Sequence, residues 1–270
     1  MVLNLRYLKK TINYTFKLLA SLILMLLVPA HASDKTFVST SPSMTEIMYE
    51  LGAQDMLKAV STHCTYPIDA RKKPVIGDAY FVDTEMLAKI KPDYFLAPDS
   101  AEFMLSNFKR FGVIPLCFKY KDINSIYNNI LELGKLTNRE EKAKKIVSDL
   151  KEKIAKANKH QNKRILYIIQ TDPIMTPAKQ SFINDVIEKS GNVLITGKIN
   201  SYYPAVSEEY LISQKPDIIV LDNHCRESAR LRKIFPNIKI IQMTEEESDI
   251  IDRPGPRIWK SVEFFVNLPY

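Results

Sequence analysis

The chain contains one sequence motif twice, and this repeat restricts the fold more than any other feature. The segment EMLAKIKPDYFLAPD begins at residue 85, and EYLISQKPDIIVLDN begins at residue 209. Identities at a constant offset pair Glu85, Leu87, Lys91, Pro92 and Asp93 with Glu209, Leu211, Lys215, Pro216 and Asp217. A second echo lies upstream in both halves, where 42–45 resembles 173–176. Because the motifs keep their order, the sequence predicts two lobes of one kind.

Each predicted lobe alternates apolar strands with amphipathic helices. In the first lobe, 33–120, we predict strands at 36–39, 57–61, 93–97 and 113–117, and helices at 43–51, 84–90 and 101–110. In the second lobe, 161–270, we predict strands at 164–170, 217–221 and 238–242, and helices at 180–189, 207–213, 226–234 and 256–266. This alternation predicts parallel sheets flanked by helices, so the fold class is α/β.

The segment 121–160 between the lobes is predicted to be a long connecting helix. Gly134 interrupts the pattern, and Thr137-x-x-Glu140 has the spacing of a capping box for a new helix near Asn138. Twenty helical residues would form a rigid spacer of roughly 30 Å, which would allow the lobes little movement. A helix packed within one lobe is the alternative, because periodicity indicates a buried face but not its partner.

Residues 1–32 have the pattern of a secretory signal peptide. Four basic residues precede an apolar run at 18–28, and Ala30-His31-Ala32 provides an A-x-A cleavage signature. The run is too short to cross a bilayer, which needs about 20 residues. We therefore expect a cleaved protein in the periplasm, with an uncleaved amphipathic anchor as the alternative.

Cleavage would also change the charge balance. The full sequence has 38 basic and 31 acidic residues, and removing four basic residues leaves 34 against 31, a net charge of +3. Nucleic-acid binding is therefore not expected. The seven glycines form no G-x-G arrangement, so glycine-rich phosphate loops are excluded.

No enzyme site is indicated by the pattern of nucleophiles. Ser41 lacks the glycines of a nucleophile elbow, and the neighbours His63 and Cys64 would point to opposite faces of a strand. Cys64, Cys117 and Cys225 are an odd set in an oxidising compartment, so one disulfide and a free thiol are compatible, and the pairing stays open. We expect a binding protein.

A metal-ion receptor is the alternative from another functional class. His63 and His224, one in each lobe, would suit zinc or manganese together with Asp78 or Asp99 if loops bring them together. No pair has ligand spacing within one element, and isolated loop histidines are the simpler interpretation. The site that we expect therefore contains no metal.

Aromatic residues give the stronger signal for a ligand. They lie near strand ends and short helices in both lobes, at Tyr66, Tyr80, Phe81, Tyr202, Tyr203 and Trp259. Loops at the carboxyl ends of parallel strands border a cleft between two α/β lobes. Aromatic walls suit a large flat ligand, because stacking adds about 0.5–1.5 kcal/mol per pair beyond burial.

Four segments carry a resemblance to a known family: 62–67 (THCTYP), 75–93 (VIGDAYFVDTEMLAKIKPD), 203–211 (YPAVSEEYL) and 253–257 (RPGPR). In this order, they resemble the periplasmic substrate-binding proteins of ABC importers. The similar subgroup joins its lobes by a rigid helix and carries cobalamin, ferric siderophores and haem, and the cobalamin-binding members look most similar. The resemblance implies a monomer that binds cobalamin in the cleft and delivers it to an inner-membrane permease dimer. Haem or a ferric siderophore is the alternative ligand.

The resemblance also implies roles for single residues. Glu85 and Glu209 match the glutamates, one per lobe, that dock on permease arginines. The ligand contacts that it implies are Tyr66, Tyr80, Phe81, Tyr203 and Arg257. Arg257 would meet an anionic edge of the ligand, and Tyr80 would serve as the axial ligand if the cargo were haem. No resident cofactor is expected.

Overall fold

The computed structural model describes residues 35–157, 161–225 and 229–269, so the predicted signal peptide lies outside the described residues. The first lobe, 35–120, contains strands β1 Phe37–Ser39, β2 Leu57–Val60, β3 Tyr94–Ala97 and β4 Ile114–Cys117, with helices α1 Pro42–Glu50, α2 Thr84–Ile90 and α3 Leu105–Phe108. Helices α4 Ile123–Leu136 and α5 Glu140–Ala157 connect the lobes. The second lobe, 161–269, contains β5 Arg164–Ile168, β6 Gln170–Thr171, β7 Ile174–Met175, β8 Val193–Leu194, β9 Ile218–Leu221 and β10 Lys239–Gln242, with helices α6 Phe182–Lys189, α7 Glu208–Ser213, α8 Ala229–Ile234, α9 Glu245–Asp252 and α10 Ile258–Val266.

The two lobes share one sheet topology. The first sheet is parallel with strand order β2-β1-β3-β4, and the second is parallel with order β8-β5-β9-β10. Each strand of the second sheet therefore takes the place of its counterpart in the first. The predicted fold class, two similar α/β lobes with parallel sheets, is confirmed.

The repeated Lys-Pro-Asp sequence has the same structural role in both lobes. Its lysine adopts a left-handed backbone conformation in each copy, and the proline after it cannot continue a helix. The Asp93 carboxylate accepts the backbone N–H of Thr36 at 2.7 Å, and Asp217 accepts that of Arg164 at 2.7 Å. In each lobe the motif thus ends a helix and fixes the start of the neighbouring central strand.

The second sequence echo does not correspond to a structural repeat, so that part of the repeat prediction is wrong. Residues 42–45 begin helix α1, whereas 173–176 include the strand β7 of a short antiparallel pair with β6. The second lobe therefore inserts a hairpin between its first strand and its first helix. Local similarity of four residues is too short to determine which element forms.

The connecting segment is a pair of packed helices rather than one long rod. Gly134 lies inside α4, where a Cβ would come within 2.4 Å of the Cβ of Ala143 on α5, so glycine permits close helix packing there. Thr137 is the C-cap of α4, and its hydroxyl donates to the Leu133 carbonyl oxygen at 2.7 Å. The predicted new helix near Asn138 is confirmed, since α5 begins at Glu140. The break follows Leu136 instead of lying at Gly134, and the N-terminal role of Thr137 is wrong.

Helix α4 contacts both lobes, and this contact determines how firmly they are joined. It packs against α1 of the first lobe and α6 of the second, and the Ile123 N–H donates to the Asp185 carboxylate at 2.8 Å. One hydrophobic core includes Met44 of α1, Tyr127 of α4 and Phe265 of α10. Continuous packing, rather than an isolated spacer, therefore connects the lobes.

Some elements differ from the sequence-based expectation. The predicted helix 101–110 is divided into a 3₁₀ turn at Asp99–Met104 followed by α3. Helix α9 was not predicted, although its capping box is visible in the sequence: the Thr244 side chain accepts the Glu247 N–H, and the Glu247 carboxylate accepts the Thr244 N–H. Among the described helices, none combines the length and apolar character that a bilayer span requires.

Candidate ligand-binding cleft

A cavity of about 220 Å³, which we call the cleft cavity, opens between the two lobes. Loops that follow β1 and β3 form one side, because the carboxyl ends of parallel strands lie at the same edge of a sheet. Second-lobe loops and the segment after α9 form the other side. The lining residues are Ser41, Pro42, Ser43, Pro98, Asp99, Tyr120, Phe182, Tyr202, Tyr203, Asp252, Arg253 and Pro254.

Tyr202 and Tyr203 form the aromatic wall of the cleft cavity. Their side chains are 42% and 37% exposed, so ring surface is available to a ligand. The Ser181 hydroxyl donates to the Tyr203 hydroxyl oxygen at 3.2 Å, and desolvation raises the Tyr203 pKa. The Tyr202 carbonyl accepts the Ala178 N–H at 2.9 Å, which holds the loop in place.

Behind the cavity, charged residues from the two lobes form the interlobe ion cluster: Glu46, Asp249, Arg253 and Arg257. Arg257 donates two hydrogen bonds to the Glu46 carboxylate, from Nε at 2.8 Å and from Nη2 at 2.6 Å. Arg253 Nη1 lies 3.6 Å from Glu46 Oε1, and its Nη2 lies 2.8 Å from Asp249. The Glu46 side chain is 2% exposed, and this burial raises its pKa while the two arginines oppose the change.

Arg257 is held between Glu46 and Tyr66. Its guanidinium carbon lies 4.0 Å from the centroid of the Tyr66 ring, at cation–π distance. Both hydrogen bonds of Arg257 go to Glu46 on the other lobe, and neither goes to Asp252 nearby in sequence. The role of Arg257 in ligand binding stays a prediction, and Arg253 is the arginine that lines the cavity.

Tyr80 and Phe81 lie outside the cleft cavity, on a separate groove shared with Asn107, Phe108 and Arg110. Phe81 is 80% exposed. The Asp78 carboxylate accepts the backbone N–H groups of both aromatic residues, at 2.7 and 2.8 Å, and these bonds lower the Asp78 pKa. Their predicted ligand contacts are not tested by this geometry, but the structure does not bring them together with Tyr203.

Glu85 and Glu209 occupy equivalent exposed positions at the start of α2 and α7. Each is two residues after its N-cap, Asp83 or Ser207. The neighbouring Glu208 is ion-paired with Arg230, whereas hydrogen bonds from its own N–H and from the Ser207 hydroxyl lower the Glu209 pKa. Glu209 is thus the more exposed of the two neighbouring carboxylates.

The sequence pattern described as "Periplasmic binding protein" matches residues 37–252. The chain belongs to the periplasmic binding protein family. It is 26% identical over 246 residues to the vitamin B12-binding protein of Vibrio parahaemolyticus, covering 87% of this chain and 90% of that protein. It is 27% identical over 250 residues to YvrC of Bacillus subtilis, an uncharacterised ABC transporter substrate-binding lipoprotein, covering 85% and 78%.

Solved structures show the same fold as this periplasmic binding protein. The periplasmic vitamin B12 binding protein BtuF of Vibrio cholerae superposes with a TM-score of 0.73, at 24% identity, and covers 86% of this chain and 95% of its own. The haem-binding protein HutB of the same organism has a TM-score of 0.75 at 16% identity, covering 88% and 100%. The relatives fit the cobalamin, siderophore and haem subgroup that the sequence resembles.

The histidines of the alternative metal site are exposed loop residues in this periplasmic binding protein. Within the described ranges, no group of three or more histidine, cysteine, aspartate and glutamate residues has the geometry to hold a metal ion. Asp99 lines the cleft cavity, whereas Asp78 closes the Tyr80–Phe81 turn. Cys64, Cys117 and Cys225 are free thiols, and burial raises the Cys64 pKa, which disfavours a reactive thiolate.

The sequence pattern did not point to the cleft residues Asp252 and Arg253, or to the buried Tyr167 and Asp222 that adjoin Asp252. Asp252 lines the cavity and accepts a hydrogen bond from the buried Tyr167 hydroxyl at 3.1 Å. The same hydroxyl lies 3.1 Å from Asp222, which directly follows β9. Asp222 could have been predicted as a site residue, because it directly follows the predicted strand 217–221. By contrast, Trp259 packs against the hydrophobic core with Lys153 4.7 Å above its ring, and it does not line the cleft cavity.

Proposed function

We propose that this protein binds a corrinoid, with cobalamin as the expected ligand, and delivers it to an ABC importer. The observation that carries the proposal is the interlobe cavity with an aromatic wall, in a chain that resembles vitamin B12-binding proteins over 87% of its length. The relatives are substrate-binding proteins, so we propose capture and release of the ligand without chemical change.

The cleft geometry suits a large ring system. Tyr202 and Tyr203 offer partly exposed rings, and stacking on such faces adds about 0.5–1.5 kcal/mol per contact beyond burial. Asp252 and Arg253 line the same cavity and provide polar groups that would orient amide substituents. A mostly apolar wall with a few fixed polar groups is the usual composition of a small-molecule site.

Ligand transfer requires a surface that the importer recognises. Glu85 and Glu209 provide one exposed carboxylate on each lobe, at the same position of equivalent helices. The two subunits of a permease dimer are related by a twofold axis, so each subunit would meet one glutamate, on one lobe of the monomeric binding protein. We therefore propose that these glutamates dock on basic residues of an inner-membrane permease, after export to the periplasm through the signal peptide.

Spectroscopy tests the ligand directly. The purified protein, lacking residues 1–32, is mixed with cyanocobalamin or with haemin and is then desalted. Cyanocobalamin absorbance should remain with the protein at a stoichiometry of one, and Tyr203→Ala should weaken the affinity. Retention of haemin alone would replace cobalamin by the alternative haem function, and binding of zinc or manganese alone would support the metal receptor through His63 and His224.

The docking role has its own test. The double variant Glu85→Ala/Glu209→Ala should impair uptake of labelled cobalamin in cells while the affinity measured on the purified variant stays unchanged. The double variant Glu50→Ala/Glu245→Ala removes one exposed carboxylate from each lobe at other helices and is the matched control. Normal uptake with the first double variant would remove the docking role.

A further inference from the structure

A second and larger cavity adjoins the cleft cavity. It measures about 510 Å³, and we call it the polar annex after the residues that border it, among them Lys121, Lys179, Gln180 and Asn200. The two cavities are lined by neighbouring residues of the same three chain segments, 120–121, 181–182 and 202–203. Lys121 and Ser181 line the annex, whereas Tyr120, Phe182 and Tyr203 line the cleft cavity. Tyr202 lines both spaces, so the annex continues the cleft beyond the aromatic wall.

The cleft cavity has more apolar lining than the annex, although Asp99, Asp252 and Arg253 also line it. Prolines and aromatic rings contribute much of the cleft cavity, at Pro42, Pro98, Phe182, Tyr202 and Tyr203. Apart from Tyr202 and Gly197, every described residue that lines the annex is polar or charged. A ligand that fills both spaces must therefore combine a flat body with a hydrophilic arm.

Some charged groups of the annex are hydrogen-bonded within the protein, and others are free to contact a ligand. Three carboxylates line the annex, and one of them, Glu188, accepts a hydrogen bond from the Asn184 side-chain amide at 3.0 Å. Asp122 accepts the Ser125 N–H at 2.7 Å, and Asp185 accepts the Ile123 N–H at 2.8 Å, so these two carboxylates are bound to the first turn of α4. The positive end of that helix partly offsets their charge. Lys121 and Lys179 are exposed, and within the described residues neither has an ion-pair partner.

Size gives an independent argument for a ligand that enters the annex. Sites for drug-sized ligands usually occupy about 300–1,000 Å³. The cleft cavity of about 220 Å³ lies below this range, whereas the cleft and the annex together lie within it. A macrocycle with side arms therefore needs more room than the aromatic part of the cleft provides.

We propose that the polar annex binds a phosphate-bearing side arm of the ligand between Lys121 and Lys179, while the flat body of the ligand stacks on Tyr202 and Tyr203. This inference rests on the proposed corrinoid function and states which part of the ligand the protein recognises beyond the ring. Lysine ammonium groups are suitable partners for a phosphate oxygen, because charge-assisted hydrogen bonds are the stronger ones. The corrinoid that the protein selects is then one that carries the nucleotide arm.

The test pairs two ligands with two forms of the protein. Cyanocobalamin carries the phosphate-bearing arm, and dicyanocobinamide has the same ring without it. Affinities for both are measured by titration calorimetry with the wild-type protein and with Lys121→Met/Lys179→Met. We expect the double variant to weaken cyanocobalamin binding by about tenfold, as for lost charge-assisted hydrogen bonds. Binding of dicyanocobinamide should change less than about twofold, which is within the effect of a remote surface substitution.

The control is a second double variant that loses two lysines elsewhere on the surface. Lys58→Met/Lys145→Met removes the same charge from exposed positions that line neither cavity, and it should leave both affinities unchanged. If the affinities for both ligands fall equally, or if neither changes, the proposed role of the annex is wrong. The corrinoid function would remain supported. If the wild-type protein binds neither ligand, the corrinoid function and the annex both fail.

Discussion

At the residue scale, Glu46 joins the two lobes behind the cleft cavity, and Gly77 fixes the backbone of the Tyr80–Phe81 turn. Glu46 brings a buried carboxylate from the first lobe to two arginines of the second, across 211 residues of sequence to Arg257. Gly77 has a φ of 116°, and a Cβ at this position would lie 2.0 Å from the Phe81 carbonyl oxygen. The geometry at each position therefore requires that residue type, and a substitution can test the requirement.

Glu46→Gln should lower the free energy of unfolding by about 3 kcal/mol, because Arg257, whose side chain is 11% exposed, would lose the carboxylate with which it is paired. Denaturant unfolding of the purified variant measures the loss. Glu50→Gln lies on the same helix but is exposed, and it should change stability by less than about 0.5 kcal/mol. Equal effects of the two substitutions would contradict a stabilising role of the interlobe ion cluster.

Gly77→Ala should destabilise the protein by more than about 2 kcal/mol, since the added methyl would collide with backbone atoms of the Tyr80–Phe81 turn. Gly112→Ala is the matched control. Gly112 also has a positive φ, of 74°, but a Cβ there meets no atom within 4 Å, so a cost of about 1 kcal/mol is expected. Thermal unfolding of both variants distinguishes collision from backbone strain alone.

At the element scale, the close contact of α4 with α5 joins the connecting segment into one unit. Helix α4 would form from its own periodicity and from the Asp122 cap. Its position depends on Gly134, which lets α5 approach. The contact explains why a residue that usually weakens a helix occurs in the middle of this one.

Gly134→Ala should destabilise the protein by about 2 kcal/mol, although alanine is the better helix former, because the new methyl group would overlap Ala143. The double variant Gly134→Ala/Ala143→Gly restores the total volume and should recover most of the loss. A double-mutant cycle by denaturant unfolding measures this coupling. If the two single effects simply add, the predicted contact is not the cause.

At the scale of the whole molecule, the shared hydrophobic core opposes large movement of one lobe against the other. The core passes from the first lobe through α4 to α10 of the second lobe, and the interlobe ion cluster lies beside it. Opening the cleft widely would expose these buried groups to water. A ligand therefore meets a cleft that is already formed.

Small-angle X-ray scattering tests this rigidity. The radius of gyration of the ligand-free protein should equal that of the cyanocobalamin-saturated protein within measurement error. The physical reason is that closure would have to rearrange close-packed side chains, which interiors resist. A clear decrease on ligand addition would instead indicate hinge closure.

The sequence by itself determined the two α/β lobes and most of their elements. Helix α2 was predicted at its observed bounds, and Asp83 and Ser207 cap equivalent helices, because caps, prolines and periodicity act over a few residues. The repeat also predicted the shared topology, since Lys-Pro-Asp ends a helix and fixes a strand in each lobe.

Only the tertiary structure decided which side chains meet. It placed Arg253 and Asp252 in the cleft cavity, turned Arg257 toward Glu46, and set Tyr80 and Phe81 on another groove. It also packed the two helices of the connecting segment against each other. These outcomes depend on how the lobes are oriented, and orientation results from contacts between residues far apart in sequence, which local patterns do not encode.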